Sequence, residues 1–196
     1  MLAEIKHRKS QDHWTVMEVL TAFVREKASS SVQPVLGDDT SIKLPTDIQT
    51  ILTVIGRRTR TYGKGENQQL NFERSYLEKA NLFRAHLEGA ALLFVHLEGA
   101  NLFRAYLEGA ALLGTHLEGA NLQEAHLEKA LLFYVHLERA NFEKAHLEGA
   151  RISATDLTKV KNLTQDQVNT ACIDEKTQLP EGLTKPAPCP DVSPPQ

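Results

Sequence analysis

Between Asn71 and Lys159 a leucine or close substitute returns at every fifth position: Phe72, Leu77, Leu82, Leu87, Leu92, Leu97, Leu102, Leu107, Leu112, Leu117, Leu122, Leu127, Leu132, Leu137, Phe142, Leu147, Ile152 and Leu157. These eighteen positions run without an insertion. Two residues before each stands a second apolar or small residue, alanine in most units, with Ser75, Val95, Thr115, Val135 and Thr155 among the substitutes. Self-similarity at a fixed short period marks repeat architecture and takes precedence over local propensity.

The period excludes both ordinary elements. On an α-helix each residue turns about 100°, so residues five apart lie roughly 140° apart and the leucines would spiral around the axis. In a straight strand side chains alternate with period two, so a step of five sends successive leucines to opposite faces. A chain that turns a corner every five residues satisfies the pattern, because each leucine and the small residue two before it then point to one shared axis. Four such sides close a twenty-residue square coil. With each coil rising by about the inter-strand spacing, ~4.8 Å, the eighteen units predict an all-β solenoid of about four and a half coils, ~22 Å long.

ANLFR, AHLEG, AYLEG, ANLQE, AHLEK and ANFEK stand in phase along this stretch. These units resemble the pentapeptide-repeat proteins, whose pattern is written A(D/N)LXX. The resemblance covers nearly half the chain and implies a right-handed quadrilateral β-helix. The flanks DHWTVMEVLTAFVRE, LPTDIQTILTVIGRR and KNLTQDQVNTACIDEKTQLPEGL also look like segments that accompany the repeats in cyanobacterial members. Most such members have no assigned activity, so the resemblance implies a fold far more than a function.

The flanks supply the ends. Residues 10–27 read as an amphipathic helix with Trp14, Met17, Leu20 and Val24 at helical spacing, capped by Ser10 or Asp12. Residues 28–43 carry Ser, Pro, Gly and Asp without periodicity and read as a linker. A second helix runs from about Thr46 to Arg57, with Ile48, Ile51, Leu52 and Ile55 on its apolar face. After it, Arg57, Arg58, Arg60 and Lys64 read as a solvated basic loop. An open β-helix exposes backbone edges that invite other chains, so terminal coils need caps. The helix at 46–57 is assigned to the N-terminal end. A helix from about Gln165 to Cys172 is assigned to the other, because Thr164 and Gln167 form a capping box and Leu163 can staple to Val168. From Pro180 onward six of the chain's eight prolines fall in seventeen residues, so the tail reads as extended or disordered. The organisation is then 1–64, helical segment, linker and cap; 65–160, β-helix; 161–196, capping helix and proline-rich tail.

Residues twenty apart stack on one face. One face carries His96, His116 and His136 beside Glu98, Glu118 and Glu138, and the opposite face carries His86, His126 and His146 beside Glu88, Glu108, Glu128 and Glu148. Glycine follows the glutamate in five of the nine units on these faces, where the corner calls for a positive φ as in a type II turn. Elsewhere Leu93, Phe94, Leu113, Leu131, Phe133 and Tyr134 project outward, with Phe83 and Phe103 on what reads as the adjoining face, so together they form a candidate interaction patch. The expected cover is the N-terminal helix folded back along the rod, presenting Trp14, Met17, Leu20 and Phe23; a dimer or a partner protein is the alternative.

Composition narrows the functional classes. A net charge of -3 gives no general pull toward nucleic acid or anionic membrane. No run is long and apolar enough to span a bilayer and no signal-peptide pattern opens the chain, so a cytoplasmic protein is expected, as monomer or homodimer. Cys172 and Cys189 would normally be free thiols in a cytosol; alternatively they close a disulfide across sixteen intervening residues. Imidazoles and carboxylates in rows bring a metal to mind, but an outer face offers no enclosed pocket, and no metal or other cofactor is expected. Catalysis needs convergent, differently tuned groups in a pocket, which a rod filled by Leu and Ala does not provide. The expectation is a non-enzymatic scaffold for an unknown protein partner. The resemblance implies one alternative, since gyrase-protecting members of the family mimic DNA with acidic side chains and bind type II topoisomerases. Here that role would fall to Glu98, Glu118 and Glu138, but residues 71–157 hold twelve Asp and Glu against eight Lys and Arg, a weak excess for a mimic of DNA.

Overall fold

The computed structural model describes residues 2–29, 44–58, 61–62, 65–66 and 68–187. In chain order they form α1 (Leu2–Lys27), α2 (Thr46–Gly56), the short strands β1 (Thr61–Tyr62) and β2 (Gly65–Glu66), then β3 (Leu131–Phe133), β4 (Arg151–Ser153), α3 (Gln165–Thr170) and β5 (Cys172–Ile173). β1 and β2 pair in parallel, and β3, β4 and β5 form a parallel sheet in that order.

Between these strands the chain is a β-helix held by single parallel bridges that join residues twenty apart. Asn71 pairs with Ala91, Tyr76 with His96, Asn81 with Asn101 and His86 with Tyr106, and the same steps continue to Asn141 with Lys161. Each side is bonded both ways: His96 N–H donates to Ser75 O of the previous coil at 2.9 Å, and Leu97 N–H donates to His116 O of the next at 2.8 Å. Twenty residues thus complete one circuit of four five-residue sides.

The corners explain how so short a side closes. After each inward leucine the chain makes a turn such as Ala80 N–H to Leu77 O, 3.1 Å, with a left-handed residue at its third position. That combination is a type II turn. All seventeen corners from Arg74 to Ala154 have φ between 48° and 68°, and eleven are not glycine. The left-handed region is therefore a property of the coil and extends to Arg, Lys, Phe and Tyr. It is enforced because the corner N–H is itself bonded to the next coil, as from Arg74 to Leu93 O at 3.0 Å.

The axis is filled by Leu82, Leu87, Leu92, Leu97, Leu102, Leu107, Leu112, Leu117, Leu122, Leu127, Leu132 and Leu137, none more than 3% exposed. Alanines such as Ala100, Ala120 and Ala140 complete each layer without overpacking it. Where threonine takes the small position its hydroxyl is satisfied internally: Thr115 Oγ1 donates to Leu92 O at 2.6 Å and Thr155 Oγ1 to Leu132 O at 3.2 Å.

At the first coil, the N–H groups that elsewhere bond to a preceding coil meet the helical segment. Tyr76 N–H donates to Ala28 O, Asn81 N–H to Gln49 Oε1 and His86 N–H to Gly56 O, at 2.7 to 3.0 Å. Gly56 is required at this contact, because a Cβ there would lie 2.9 Å from that of Ala85. At the far end Thr164 and Gln167 form a reciprocal capping box on α3, and Gln167 Nε2 donates to Phe142 O and Ala145 O at 2.8 Å. Asp174 braces the last coil, accepting from Ser153 Oγ, Thr177 Oγ1 and the amides of Ala154 and Thr177. Burial works to raise its pKa, but these hydrogen bonds prevail and hold the carboxyl below the usual range.

Several expectations are corrected. α1 begins at Leu2, well before the proposed caps Ser10 and Asp12, because LAEIKHRK contains no residue that stops a helix. It contacts α2, and Arg25 Nη1 donates to Asn71 O of the first coil at 2.7 Å; Trp14, Leu20 and Phe23 pack against the core, but the expected cover does not extend to Phe94 and Tyr134, which stay about half exposed. Arg58 is buried and hydrogen-bonds to Ile55 O and His86 O instead of sitting in a solvated loop, whereas Arg60 and Lys64 lie outside the described residues. So do residues 30–43, most of the expected linker. Cys172 is disulfide-bonded and not a free thiol; Cys189 lies outside the described residues. The start of the tail is anchored, with Thr184 N–H donating to Gln165 Oε1 and Gln165 Nε2 to Thr184 O, both at 2.9 Å.

Candidate functional site

Each side presents three residues away from the axis, one before its inward leucine and two after it, the second of these at the corner. On two opposite sides these become paired columns of rings and carboxylates. Tyr76, His96, His116 and His136 stack with adjacent centroids 4.3 to 4.4 Å apart and planes within 7°. Half a coil away His86, Tyr106, His126 and His146 do the same at 4.5 to 5.0 Å. The coil rise sets this spacing, since a ring fixed at one register position has no room to tilt between its neighbours.

Within each unit the imidazole meets the glutamate two residues on. Nδ1 to Oε1 is 2.9 Å for His86–Glu88, 2.8 Å for His96–Glu98, 3.3 Å for His116–Glu118 and 3.1 Å for His126–Glu128. The second oxygens of Glu88, Glu98, Glu108, Glu118 and Glu128 are buried with no hydrogen-bond partner. Glu108, whose unit carries Tyr106 in place of histidine, lies between Glu88 and Glu128; burial foremost, with those like charges, pushes its pKa up. Glu138, the last of the three candidate acidic-ladder residues after Glu98 and Glu118, is ion-paired with Lys159 at 3.2 Å.

The candidate patch divides in two. Phe83 and Phe103 meet at 5.7 Å with their planes tilted by 33°, each under its neighbouring arginine, and their sides lie half a coil from those of Leu93 and Leu113. They therefore face the opposite direction, and the adjoining-face expectation is out of phase by one side. On the other group Phe94 and Tyr134 are about half exposed, at 46% and 48%, while Leu93, Leu113 and Leu131 are half-buried. Phe133, expected outward, is 1% exposed, with the Arg151 guanidinium 5.8 Å above its ring. Tyr134 stands at the lip of a shallow groove of about 360 Å³, lined also by His136, Glu138, Ala154 and Asp156.

Two features are not deducible from the sequence pattern. The imidazole–carboxylate bonds are legible there only as H-L-E spacing, which gives proximity but no rotamer. The Phe94 ring lies over Gly114, and the one signal for it is a lone glycine twenty residues after a phenylalanine.

The family model for pentapeptide repeats matches residues 100–133 and 129–161, in eight copies. A pentapeptide-repeat protein from the Arabidopsis thaliana thylakoid lumen is 31% identical, matching 50% of this chain and 67% of that one with a TM-score of 0.47. A pentapeptide-repeat protein from Nostoc PCC 7120 is 31% identical over 57% of this chain and 85% of that one, TM-score 0.43. HetL, a pentapeptide-repeat protein involved in heterocyst differentiation regulation from the cyanobacterium Nostoc sp. strain PCC 7120, is 33% identical over 44% of this chain and 42% of its own, TM-score 0.34. No curated protein matches the chain. No helix among the described residues is long and apolar enough to cross a membrane. With its repeats matched by the family model and its sequence about one-third identical to solved members from a plant and a cyanobacterium, the chain belongs to the pentapeptide-repeat family.

Proposed function

We propose that the chain is a non-enzymatic scaffold that binds another protein, with α1 and α2 at one end and α3 at the other serving as caps against addition of further chains. The observation that carries this reading is the pair Phe94 and Tyr134, half exposed on one corner column with the groove beside Tyr134. Exposed aromatics beside a concavity suit an apolar anchor from a partner. The interior supports a role without catalysis, since leucine and alanine fill it and the titratable groups lie in repeating outer columns. The DNA-mimic alternative draws less support. Glu98 and Glu118 are engaged by histidines and Glu138 by Lys159, so the ladder does not present free anions in place of phosphates. The disulfide at Cys172 favours a compartment where disulfides persist over the cytoplasm expected from sequence.

Affinity capture from the source organism, with the unmodified chain and a Phe94→Asp/Tyr134→Asp variant, tests the reading. The variant is expected to lose the protein that the parent captures, while Glu98→Lys/Glu118→Lys/Glu138→Lys retains it. Capture that survives the aromatic changes refutes the docking surface. Inhibition of gyrase supercoiling by the unmodified protein at micromolar concentration transfers the support to DNA mimicry.

A further inference from the structure

The ring column that begins at Tyr76 runs out before the rod does. Tyr76, His96, His116 and His136 stack at 4.3 to 4.4 Å, and the next residue at that register, one coil on, is Asp156. His116 covers one face of His136, and the other face turns toward the level of Asp156, where a short carboxylate stands in place of a ring. The corner column changes at the same level, from Tyr134 to Ala154. The coils also part at this point. Along this side the bridges join Tyr76 to His96, His96 to His116 and His116 to His136 and resume from Asp156 to Gln178, but among the described residues none joins His136 to Asp156. The groove of about 360 Å³ beside Tyr134 is the space that these changes leave, with His136, Glu138 and Asp156 in its lining.

That lining specifies what fits. Glu138 and Asp156 bring two carboxylates, and Lys159 Nζ, 3.2 Å from Glu138 Oε1, brings one ammonium, so one negative charge is left over. The Thr158 hydroxyl and amide both donate to Asp156 Oδ1, at 2.6 and 2.8 Å, and hold this carboxyl below its usual range, so it is ionised at neutral pH. Those bonds occupy Oδ1, and Oδ2 is the acceptor for an incoming donor. A purely apolar tip would desolvate the carboxylates without pairing them. An ammonium pairs as a point charge, whereas a guanidinium is a planar cation that stacks on aromatic rings and donates in a fixed fork to carboxylates. The methylene stem behind it is apolar and suits a wall such as Tyr134.

From this juxtaposition we infer that the groove takes an arginine side chain of a partner protein, its guanidinium laid on the open face of His136 and donating to Asp156 and Glu138, its stem against Tyr134. The inference rests on the docking surface proposed above and names what enters the concavity. The guanidinium plane takes the place that a fifth ring would have held in the column. Lys159 gives way, because its pair with Glu138 has side chains 63% and 56% exposed and is weak. The same residual charge repels the phosphates of a nucleic acid.

The test is a two-dimensional NMR titration of the full chain at about pH 8, where imidazole is uncharged, with N-acetyl-arginine amide as the probe and the lysine and leucine analogues for comparison. Saturable shifts at Tyr134, His136 and Ala154 are expected, with a Kd of about 1–10 mM, as suits one isolated side chain. The lysine analogue should bind at least ~3-fold more weakly. His136→Ala and the isosteric Asp156→Asn should each weaken the arginine probe by ~3-fold or more, while His146→Ala, at the end of the opposite column, leaves it unchanged. Should His136→Ala fail to melt like the parent, Glu138→Gln takes its place. Absence of saturable shifts up to ~50 mM probe overturns the inference. So does a lysine analogue that binds equally well, or arginine binding that survives in Asp156→Asn/Glu138→Gln. Tighter binding of the leucine analogue overturns the arginine but leaves an apolar anchor at Phe94 and Tyr134 standing. The capture experiment decides that surface separately, because these variants keep both aromatics.

Discussion

Gly114 and Gly119 make a controlled pair. Both are corner residues with left-handed backbone, at φ +62° and +67°. A methyl group on Gly114 would lie 2.6 Å from Cδ1 and Cε1 of Phe94, whereas one on Gly119 meets nothing within 4 Å. Substitution by alanine therefore separates two effects. Each variant bears the steric penalty of a Cβ in the left-handed region, ~1 kcal/mol. Gly114→Ala in addition lifts the phenylalanine off its seat. Burying a whole Phe side chain is worth ~1.5–3 kcal/mol, and a ring already 46% exposed has about half of that to lose, ~1 kcal/mol. Gly119→Ala should cost ~1 kcal/mol and Gly114→Ala ~2 kcal/mol. In a Phe94→Ala background the ring is gone, so the two substitutions should become equal. Urea unfolding of the four variants and the two parents, followed by circular dichroism, measures all the terms. Equal losses in the natural background, or a difference that persists without Phe94, would refute the seat.

Leu112→Lys, at a fully buried axial position, places an ammonium between leucine and alanine layers and should abolish cooperative folding; a variant that keeps β-rich dichroism and a sharp melt contradicts the axis. Glu108→Gln tests the second carboxylate column. Because burial and the charges of Glu88 and Glu128 raise its pKa, the folded chain holds the Glu108 proton more tightly than the unfolded chain does. Its contribution to stability is full below the unfolded pKa and is lost as pH rises through the raised folded one. Parent and variant should thus melt alike in acid, with the variant becoming the more stable toward neutrality; a variant less stable at neutral pH overturns the reasoning.

The period carries most of the fold because a step of five is incompatible with helix or strand, and only a chain that turns at each unit brings Leu92, Leu112 and Leu132 to one axis. It carries the outer surface less well. A period says which residues point outward, but not what the next coil lays over them. Phe133 and Tyr134 are consecutive outward positions, yet one is covered by Arg151 and the other is not. Placing Phe83 and Leu93 on adjoining sides is a slip of five residues, the smallest error the pattern permits and enough to merge two separate surfaces. Outside the repeats no period constrains the chain. Nothing local distinguishes Arg58, which donates into the first coil, from its neighbour Arg57, which stays exposed. The histidine–glutamate pairs lie between these cases: spacing gives the columns, while the bonds depend on side-chain torsions that stacking selects.

The twenty-residue bridge pattern also constrains how the gene can change in length. Loss or gain of a number of residues other than a multiple of five throws leucine out of the axis and destroys every coil downstream. A change of five keeps the axis but rotates all later sides by a quarter circuit, so the histidines after the break fall in line with asparagine, alanine or leucine and both ring stacks are severed. A change of ten keeps the axis and still lays ring on ring, because the ring-bearing units recur every ten residues, but it exchanges the asparagine side with the alanine side; only a change of twenty leaves the interior and all four sides in register. Viable indels inside the repeats are therefore quantised, and a variant that adds or drops a whole circuit alters the reach of the rod while preserving the identity of its faces.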